Sequence, residues 1–217
     1  MIPLEDLQKY CLGKKIIIVG NSSSLLNGNN RRLIDSYDIV VRINKGYQHT
    51  RQLFDEYIGS KTDILSIGVK SALGASVIIQ GNSVPFIISP IIYSDKLDYP
   101  NVYNVDHNTY KSLQQSLGGS KPSTGISTYN FFNKLIDFTR LDLIGFDFFE
   151  SSTGQRNQFG HIKVKDHNGN EELNFFEASK DPSKTTLHKT KGGNSFPNNT
   201  PRFSSQKQFF IKNNKRS

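Results

Sequence analysis

The sequence of 217 residues contains no tryptophan, one methionine and one cysteine, Cys11. A single cysteine excludes an internal disulfide framework and a zinc site built from several cysteines. No apolar stretch approaches the roughly 20 residues that a membrane-spanning helix requires. The first ten residues, MIPLEDLQKY, carry acids where a signal peptide carries bases. We therefore expect an intracellular, cytoplasmic protein.

Acidic residues are almost missing from the end of the chain. The formal net charge is +8. Residues 1–177 contain 18 basic and 18 acidic side chains, whereas residues 178–217 contain nine basic side chains and Asp181 as the single acid. A neutral body argues against a general nucleic-acid-binding surface. We predict a globular domain at residues 1–177 and a basic, loop-rich C-terminal tail at residues 178–217.

Within the body, continuous apolar runs alternate with segments of helical periodicity. Such runs are typical of parallel strands that are buried on both faces. The predicted strands are residues 15–19, 38–44, 63–67, 85–93 and 141–145, and the predicted helices are a short opening helix, 52–58, 69–79, 108–117 and a helix that follows 122–125. The alternation predicts an α/β fold with a Rossmann-like, mostly parallel sheet and helices on both faces.

Small and polar residues follow several of these strands. Ligands of parallel sheets bind outside the carboxyl ends of the strands, so the sequence predicts one shared edge for Gly20, Asn21, Asn44 and Gly145. Backbone N–H groups and hydroxyls after the first strand, including that of Ser22, can bind a phosphate. The turn lacks the lysine of a P-loop and the glycines of a dinucleotide site, so an ordinary turn is an equal alternative.

Amide side chains stand at the ends of two neighbouring predicted strands. Asn21 and Asn44 can both donate hydrogen bonds to one phosphate, although Asn44 also suits a turn cap. The segment Pro122-Ser123-Thr124-Gly125 opens the clearest helix, with Ser123 as its predicted N-cap. Free N–H groups and hydroxyls there suit a ribose or an anion, and a capped helix without a ligand is the alternative.

Together these motifs resemble the sialyltransferases of glycosyltransferase family 29. The large sialylmotif of the family resembles the sequences IIIVGNSSSLL at 16–26, IDSYDIVVRINKGY at 34–47 and YIGSKTD at 57–63. The small sialylmotif resembles KPSTGI at 121–126 and LDLIGFD at 141–147. The very short motif, a histidine and a glutamate separated by four residues, resembles His167 and Glu172.

The resemblance implies a GT-A-like variant of the Rossmann-like sheet and a specific reaction. An inverting, metal-independent enzyme of this kind moves sialic acid from CMP-sialic acid to a glycan hydroxyl, without a cofactor. The implied donor-binding residues are Gly20, Asn21, Ser22, Asn44, Ser123, Thr124, Gly125 and Gly145. The resemblance implies that His167 is the catalytic base, because an imidazole accepts a proton at neutral pH. Glu172 would orient the His167 segment, with Glu171 as the rival residue for that role.

The sequence also departs from the family pattern. The cysteines that join the large and small motifs in animal members correspond to Ile16 and Ile136 here. An apolar pair can fill that space in a reducing compartment, which favours a bacterial or viral type of member. The third motif has no clean match, and His161 is the nearest candidate for its phosphate contact.

Other functions stay open from the sequence. The donor can be another CMP-linked or nucleotide sugar, because sugar selectivity depends on a few pocket contacts. The protein can also be a non-catalytic nucleotide-binding or nucleic-acid-binding protein that uses the basic tail. The same tail can contact an anionic membrane peripherally, or be a solvated segment without a partner.

Overall fold

The computed structural model describes residues 1–44, 54–68, 79, 84–90, 97, 99–149 and 167–190. These residues contain strands β1 Lys14–Val19, β2 Ile39–Ile43, β3 Ile64–Ser66, β4 Phe86–Ser89, β5 Val102–Asn104, β6 Phe138–Ile144 and β7 Thr185–His188. They contain helices α1 Leu4–Cys11, α2 Arg31–Asp35, α3 Asp55–Ile58, α4 His107–Ser116, α5 Thr124–Leu135 and α6 Gly169–Ser179, and a 3₁₀ segment at Ser23–Asn27. None of the described helices is long and apolar enough to cross a membrane.

The strands form one sheet in the order β5-β4-β3-β2-β1-β6-β7. All six pairings are parallel. The prediction of a Rossmann-like α/β fold is therefore confirmed. Most of the predicted helix at 69–79 lies outside the described residues.

Alternate residues of β1 pack into separate cores on the two faces of the sheet. Ile16 and Ile18 lie in a core with residues of α1, α4, α5 and α6. Ile17 and Val19 lie in a second core with residues of the 3₁₀ segment, α2 and α3. Helices on both faces thus bury every side chain of β1 from Ile16 onward, which explains why the strand is a continuous apolar run rather than an alternating one.

The strand order reverses beside β1. Strands β2 to β5 extend to one side of β1, whereas β6 lies on its other side and pairs with it from Lys14 to Val19. In an open parallel sheet such a reversal leaves a crevice at the carboxyl ends of the two central strands. The fold therefore predicts a ligand site above the ends of β1 and β6.

The sheet extends past the predicted domain boundary at residue 177. Strand β7 pairs with β6 from Leu141 to Ile144, in a segment that the sequence assigned to the loop-rich tail. The segment escaped detection because β7 is a short edge strand of mixed polarity and Thr185 is its single buried residue. The remaining predicted tail, residues 191–217, lies outside the described residues.

A buried carboxylate holds β7 against β6. Asp142 is fully buried and accepts hydrogen bonds from His188 Nε2 at 2.8 Å, from Arg140 Nε at 2.9 Å and from the Thr186 N–H at 3.0 Å. It also accepts one from the Tyr37 hydroxyl. Burial raises the pKa of Asp142, but these hydrogen bonds outweigh burial and hold the pKa below its usual value. The charge is therefore retained in the core because it is fully paired.

We predict that Gly20→Ala strongly destabilises the protein. A Cβ on Gly20 would lie 2.3 Å from the carbonyl oxygen of Gly145, a backbone atom that cannot move aside. We expect a loss of about 3 kcal/mol and a Tm lowered by roughly 6–12 °C in thermal unfolding.

Gly28→Ala is the matched control for this variant. The nearest atom to a Cβ on Gly28 is 3.7 Å away, which is an ordinary contact. The control should keep the wild-type Tm within a few degrees. Equal Tm values for the two variants would contradict the close approach of β1 and β6.

Candidate active site

Two glycines let the carboxyl ends of β1 and β6 meet. The Gly20 N–H donates to the Ile144 carbonyl at 2.8 Å and continues the ladder beyond β1. Gly145 has a φ of +73°, and the Leu25 side chain packs against its Cα. A positive φ favours glycine, so the backbone conformation alone explains the presence of Gly145 at this position. Its predicted closeness to a nucleobase stays a prediction.

One aromatic side chain contacts two of the predicted donor-binding glycines. The Phe146 ring lies against the Cα atoms of both Gly20 and Gly125. A Cβ on Gly125 would lie 2.7 Å from a ring carbon. These glycines therefore bring the first turn of α5 close to the end of β1, as the predicted site requires.

The two predicted asparagines, Asn21 and Asn44, lie just after the adjacent strands β1 and β2, and their side chains hydrogen-bond to neighbouring segments. Asn21 Nδ2 donates to the Ile43 carbonyl at 3.1 Å. Asn44 has a φ of +50°, accepts from the Gly68 N–H at 2.6 Å and donates to Thr124 Oγ1 at 3.3 Å. Asn44 is thus a backbone cap, as the alternative interpretation had it, and it also connects β2 to the start of α5. The capping role does not exclude a ligand, because each amide nitrogen carries two hydrogens.

The first turn of α5 is fixed by its own cap and by the sheet. The Ser123 hydroxyl accepts from the Ile126 N–H at 3.2 Å, which confirms the predicted N-cap. The Thr128 hydroxyl bonds both the Ser66 hydroxyl and the Thr124 carbonyl at 2.6 Å, and all three groups are buried. The helix N-terminus, with its positive potential, is therefore held over the carboxyl edge of the sheet.

Glu172 contacts this helix from α6. Its two carboxyl oxygens accept from the Ser123 N–H and the Ser123 hydroxyl, each at 2.7 Å. Glu172 is 3% exposed, and burial raises the pKa of its carboxyl to about 7, against the opposing effect of the two hydrogen bonds. Glu171 lies in the same first turn of α6, and its backbone N–H donates to the Asn168 side chain. The structure thus gives the supporting contact to Glu172 rather than to Glu171.

The contacts of His167 determine its tautomer. His167 Nδ1 lies 2.7 Å from the carbonyl oxygen of Lys121. A carbonyl only accepts, so Nδ1 carries the hydrogen and Nε2 is the acceptor nitrogen of the neutral ring. The imidazole also stacks on the Phe149 ring, with 5.6 Å between the centroids and 14° between the planes. These two contacts fix the orientation of the ring and leave Nε2 as the nitrogen that can accept a hydrogen.

The turn that supports His167 is strained. Phe148 and Phe149 have φ values of +44° and +65°, which bulky residues rarely adopt. Gly169, at the start of α6, packs so closely that a Cβ there would lie 1.7 Å from the Phe148 carbonyl oxygen. Strained backbone of this kind persists where the surroundings enforce it, often at functional sites.

A buried cation lies beneath the loop after β1. Arg42 is 1% exposed and donates to the Gly59 carbonyl at 3.0 Å and to the Lys61 carbonyl at 3.1 Å. Burial lowers the pKa of Arg42 to about 10, so the guanidinium stays charged at neutral pH. It lines a cavity of about 20 Å³ together with Asn21 and Ser22. The sequence analysis missed this residue, although an arginine inside an apolar strand is the signal that points to it.

The remaining predictions for the site have different outcomes. His161, predicted to contact the phosphate, lies outside the described residues. No group of three or more His, Cys, Asp or Glu residues suited to a metal ion occurs in the described part of the chain. Hydrogen bonds join Asn44 to Thr124 and Ser123 to Glu172. Asn21 is bonded to the Ile43 carbonyl, and His167 is bonded to the Lys121 carbonyl.

Comparison with known families agrees with this geometry. A family model of glycosyltransferase family 29 (sialyltransferase) matches residues 8–101, which include the large-motif segments after and within β1 and β2. This part of the chain is therefore similar to glycosyltransferase family 29. A comparison with curated protein sequences gives no significant match.

Solved structures of mammalian sialyltransferases share the fold of this protein. The crystal structure of one in complex with Gal-beta-1-3GalNAc-ortho-nitrophenol matches with a TM-score of 0.53 and 20% identity, over 83% of this chain and 70% of that chain. A further mammalian sialyltransferase structure matches with a TM-score of 0.54 and 21% identity, over 82% of this chain and 70% of that chain. The match supports the GT-A-like variant of the Rossmann-like sheet.

Two apolar residues stand at the positions that the sequence resemblance aligned with the cysteines of animal members. Ile16 and Ile136 are buried in the same hydrophobic core, beside α1 and α5. Both side chains are thus part of the apolar packing of this core.

We predict that Glu172 makes stability depend on pH near neutrality. Its folded-state pKa of about 7 lies above the ordinary carboxyl value of 4.5. A raised pKa stabilises the fold fully below the unfolded value, and this stabilisation is lost as the pH rises through 7. Relative to Glu172→Gln, wild-type stability should therefore fall by about 3 kcal/mol between about pH 4.5 and pH 7.5.

Denaturant unfolding of both proteins across this pH range provides the measurement. The variant loses hydrogen bonds with Ser123, but that loss is the same at every pH. Only the difference between the two curves reports the titration of Glu172. Parallel curves would contradict a carboxyl that gains a proton on burial.

Proposed function

We propose that this enzyme transfers sialic acid from CMP-sialic acid to a glycan hydroxyl, with inversion and without a metal ion. The observation that carries the proposal is the oriented His167 ring, whose Nδ1–H is bound by the Lys121 carbonyl at 2.7 Å. The neighbouring Glu172 holds the start of α5 by two hydrogen bonds to Ser123. The base and the donor-binding helix are thus positioned by one segment of chain.

The donor phosphate would bind at the ends of β1 and β2. Asn21, Ser22 and Asn44 offer amide and hydroxyl hydrogens there, and the buried Arg42 contributes positive charge nearby. The first-turn N–H groups of an α-helix have no partner within the helix. The N–H groups of Thr124 and Gly125 therefore suit the nucleotide, where the helix dipole favours an anion.

Ser123 acts differently in this proposal from the direct donor contact that the resemblance implies. Its N–H and its hydroxyl hydrogen are both donated to Glu172. Its hydroxyl oxygen already accepts from the Ile126 N–H. We therefore assign Ser123 a positioning role, with Thr124 and Gly125 as the residues that face the ribose and cytosine.

The reaction would be a single displacement at the anomeric carbon. The acceptor hydroxyl oxygen forms the new bond to that carbon while its proton passes to His167 Nε2. The bond to the donor phosphate breaks on the opposite face, and its electron pair leaves with CMP. Amide donors, the helix N-terminus and Arg42 would stabilise the negative charge on the leaving phosphate.

A glycan is the proposed acceptor. The related mammalian sialyltransferase was crystallised with Gal-beta-1-3GalNAc-ortho-nitrophenol, which supports an acceptor of this chemical class. The contact of the basic tail with an anionic membrane stays a prediction, because most of the tail lies outside the described residues.

We predict that CMP raises the thermal stability of the protein in the presence of EDTA. A ligand that binds only the native state raises Tm by mass action. Asn21→Ala should weaken CMP binding roughly 10-fold to 100-fold, because it removes a hydrogen bond to a charged phosphate. Asn108→Ala, at an exposed position of α4, is the control and should bind CMP as the wild type does.

The same thermal-shift panel includes CDP, UDP, GDP and NAD. Stabilisation by UDP or GDP in place of CMP would contradict the proposed donor and indicate another nucleotide-sugar class. Stabilisation that EDTA abolishes would contradict the metal-independent reaction.

We predict that His167→Ala lowers the rate of sialyl transfer from CMP-sialic acid by roughly 10²-fold to 10⁴-fold, since it removes the general base. CMP affinity should change little, because His167 receives the acceptor proton rather than holding the nucleotide. His107→Ala, on the exposed start of α4, is the matched control. A wild-type rate of sialyl transfer in His167→Ala would contradict the assignment of His167 as the base.

A further inference from the structure

Three hydroxyl groups form a continuous chain beside the loop that follows β1. Ser22 Oγ and Ser24 Oγ lie 2.8 Å apart and share a hydrogen bond. Ser24 Oγ is also hydrogen-bonded to Thr190 Oγ1. Thr190 follows β7, in the part of the chain that the sequence analysis assigned to the tail. It therefore reaches the predicted donor site from 166 residues away.

The hydrogen-bonding capacity of Ser22 limits the direction of this chain. A hydroxyl has one hydrogen and two lone pairs. The Ser24 N–H already donates to Ser22 Oγ at 3.2 Å and occupies one lone pair. If the Ser24 hydroxyl donates to the other lone pair, the Ser22 hydrogen must point to a third group.

Thr190 supports this direction at the other end of the chain. When the Ser24 hydrogen is given to Ser22, Ser24 Oγ can accept the Thr190 hydrogen. Strand β7 fixes the start of the segment that carries Thr190, since His188 bonds the buried Asp142 at 2.8 Å. All three hydrogens then point the same way along the chain, and aligned hydrogen bonds strengthen one another.

We propose that Thr190 and Ser24 are positioning residues that direct the Ser22 hydroxyl hydrogen toward the donor phosphate. This inference rests on the proposed donor site. A phosphate oxygen accepts hydrogen bonds and does not donate them when ionised, so the bound phosphate selects this direction of the chain over the reverse one. Ser22 is the group that touches the donor, and the other two hydroxyls act through it.

The first experiment compares the CMP affinities of Thr190→Ala and Thr190→Ser by isothermal titration calorimetry. These variants differ only in the hydroxyl. We expect Thr190→Ala to bind CMP roughly 3-fold to 10-fold more weakly than the wild type, as for one neutral hydrogen bond. Thr190→Ser should restore the affinity. Equal affinities of the Ala and Ser variants would overturn the inference.

The second experiment repeats Thr190→Ala in a Ser22→Ala background. Ser22→Ala alone should weaken CMP binding roughly 10-fold or more, because it removes the hydrogen bond to the charged phosphate. Without the Ser22 hydroxyl, no hydrogen bond connects the Thr190 hydroxyl to the ligand, so Thr190→Ala should have no further effect on CMP affinity. A merely structural role of Thr190 would weaken binding equally in both backgrounds, and that result would overturn the inference.

Two controls separate failure of this inference from failure of the proposed function. Wild-type protein that binds no CMP would overturn both. Wild-type protein that binds CMP, with unchanged affinity in Thr190→Ala, would overturn the hydroxyl chain and leave the donor site standing. If Thr190→Ala unfolds at a much lower Tm, Ser24→Ala provides the same test. It should lower the CMP affinity by the same factor in the wild-type background and have no further effect in the Ser22→Ala background.

Discussion

The paired hydrogen bonds between Glu172 and Ser123 join α6 to the start of α5. Each carboxyl oxygen accepts one hydrogen at 2.7 Å, so the side chain has a single favourable orientation. Because Glu172 lies in the first turn of α6 and His167 lies two residues before that helix, the carboxyl holds the segment that carries His167 beside α5. Burial of the Glu172 carboxyl costs free energy, as its raised pKa shows, and the two hydrogen bonds with Ser123 offset part of that cost.

Close contacts at three glycines fix the position of the backbone around the candidate site. Gly20 meets the Gly145 carbonyl, Gly125 meets the Phe146 ring, and Gly169 meets the Phe148 carbonyl. Each approach removes the space that a Cβ needs, so these positions cannot shift without a change in backbone. The polar residues stand beside this rigid frame, where Asn44 links the end of β2 to Thr124. A rigid frame of this kind preserves hydrogen-bond geometry for a leaving phosphate better than a mobile loop does.

Much of this arrangement could be predicted from local sequence, because its physical causes are local. Continuous apolar runs identify strands that are buried on both faces, and they located β1, β2, β3, β4 and β6. The cap at Ser123 follows from its hydroxyl and the helix after it. Strands β5 and β7 were missed, because short strands with few buried residues lack a continuous run. The tautomer of His167 and the contacts of Thr190 could not be predicted, since their partners, Lys121 and Ser24, are distant in sequence.

The pairing of β1 with β6 brings together segments from both halves of the chain. The family model matches residues 8–101, which supply Asn21, Asn44 and the buried Arg42. The proposed base, His167, and the carboxyl of Glu172 come from the chain that follows β6, the strand that pairs with β1. Strand β7 then adds to β6 and carries the chain to Ser24. Under the proposed function, the C-terminal half thus supports the loop after β1, and loss of the Asp142 hydrogen bonds would weaken donor binding through β7 and Thr190.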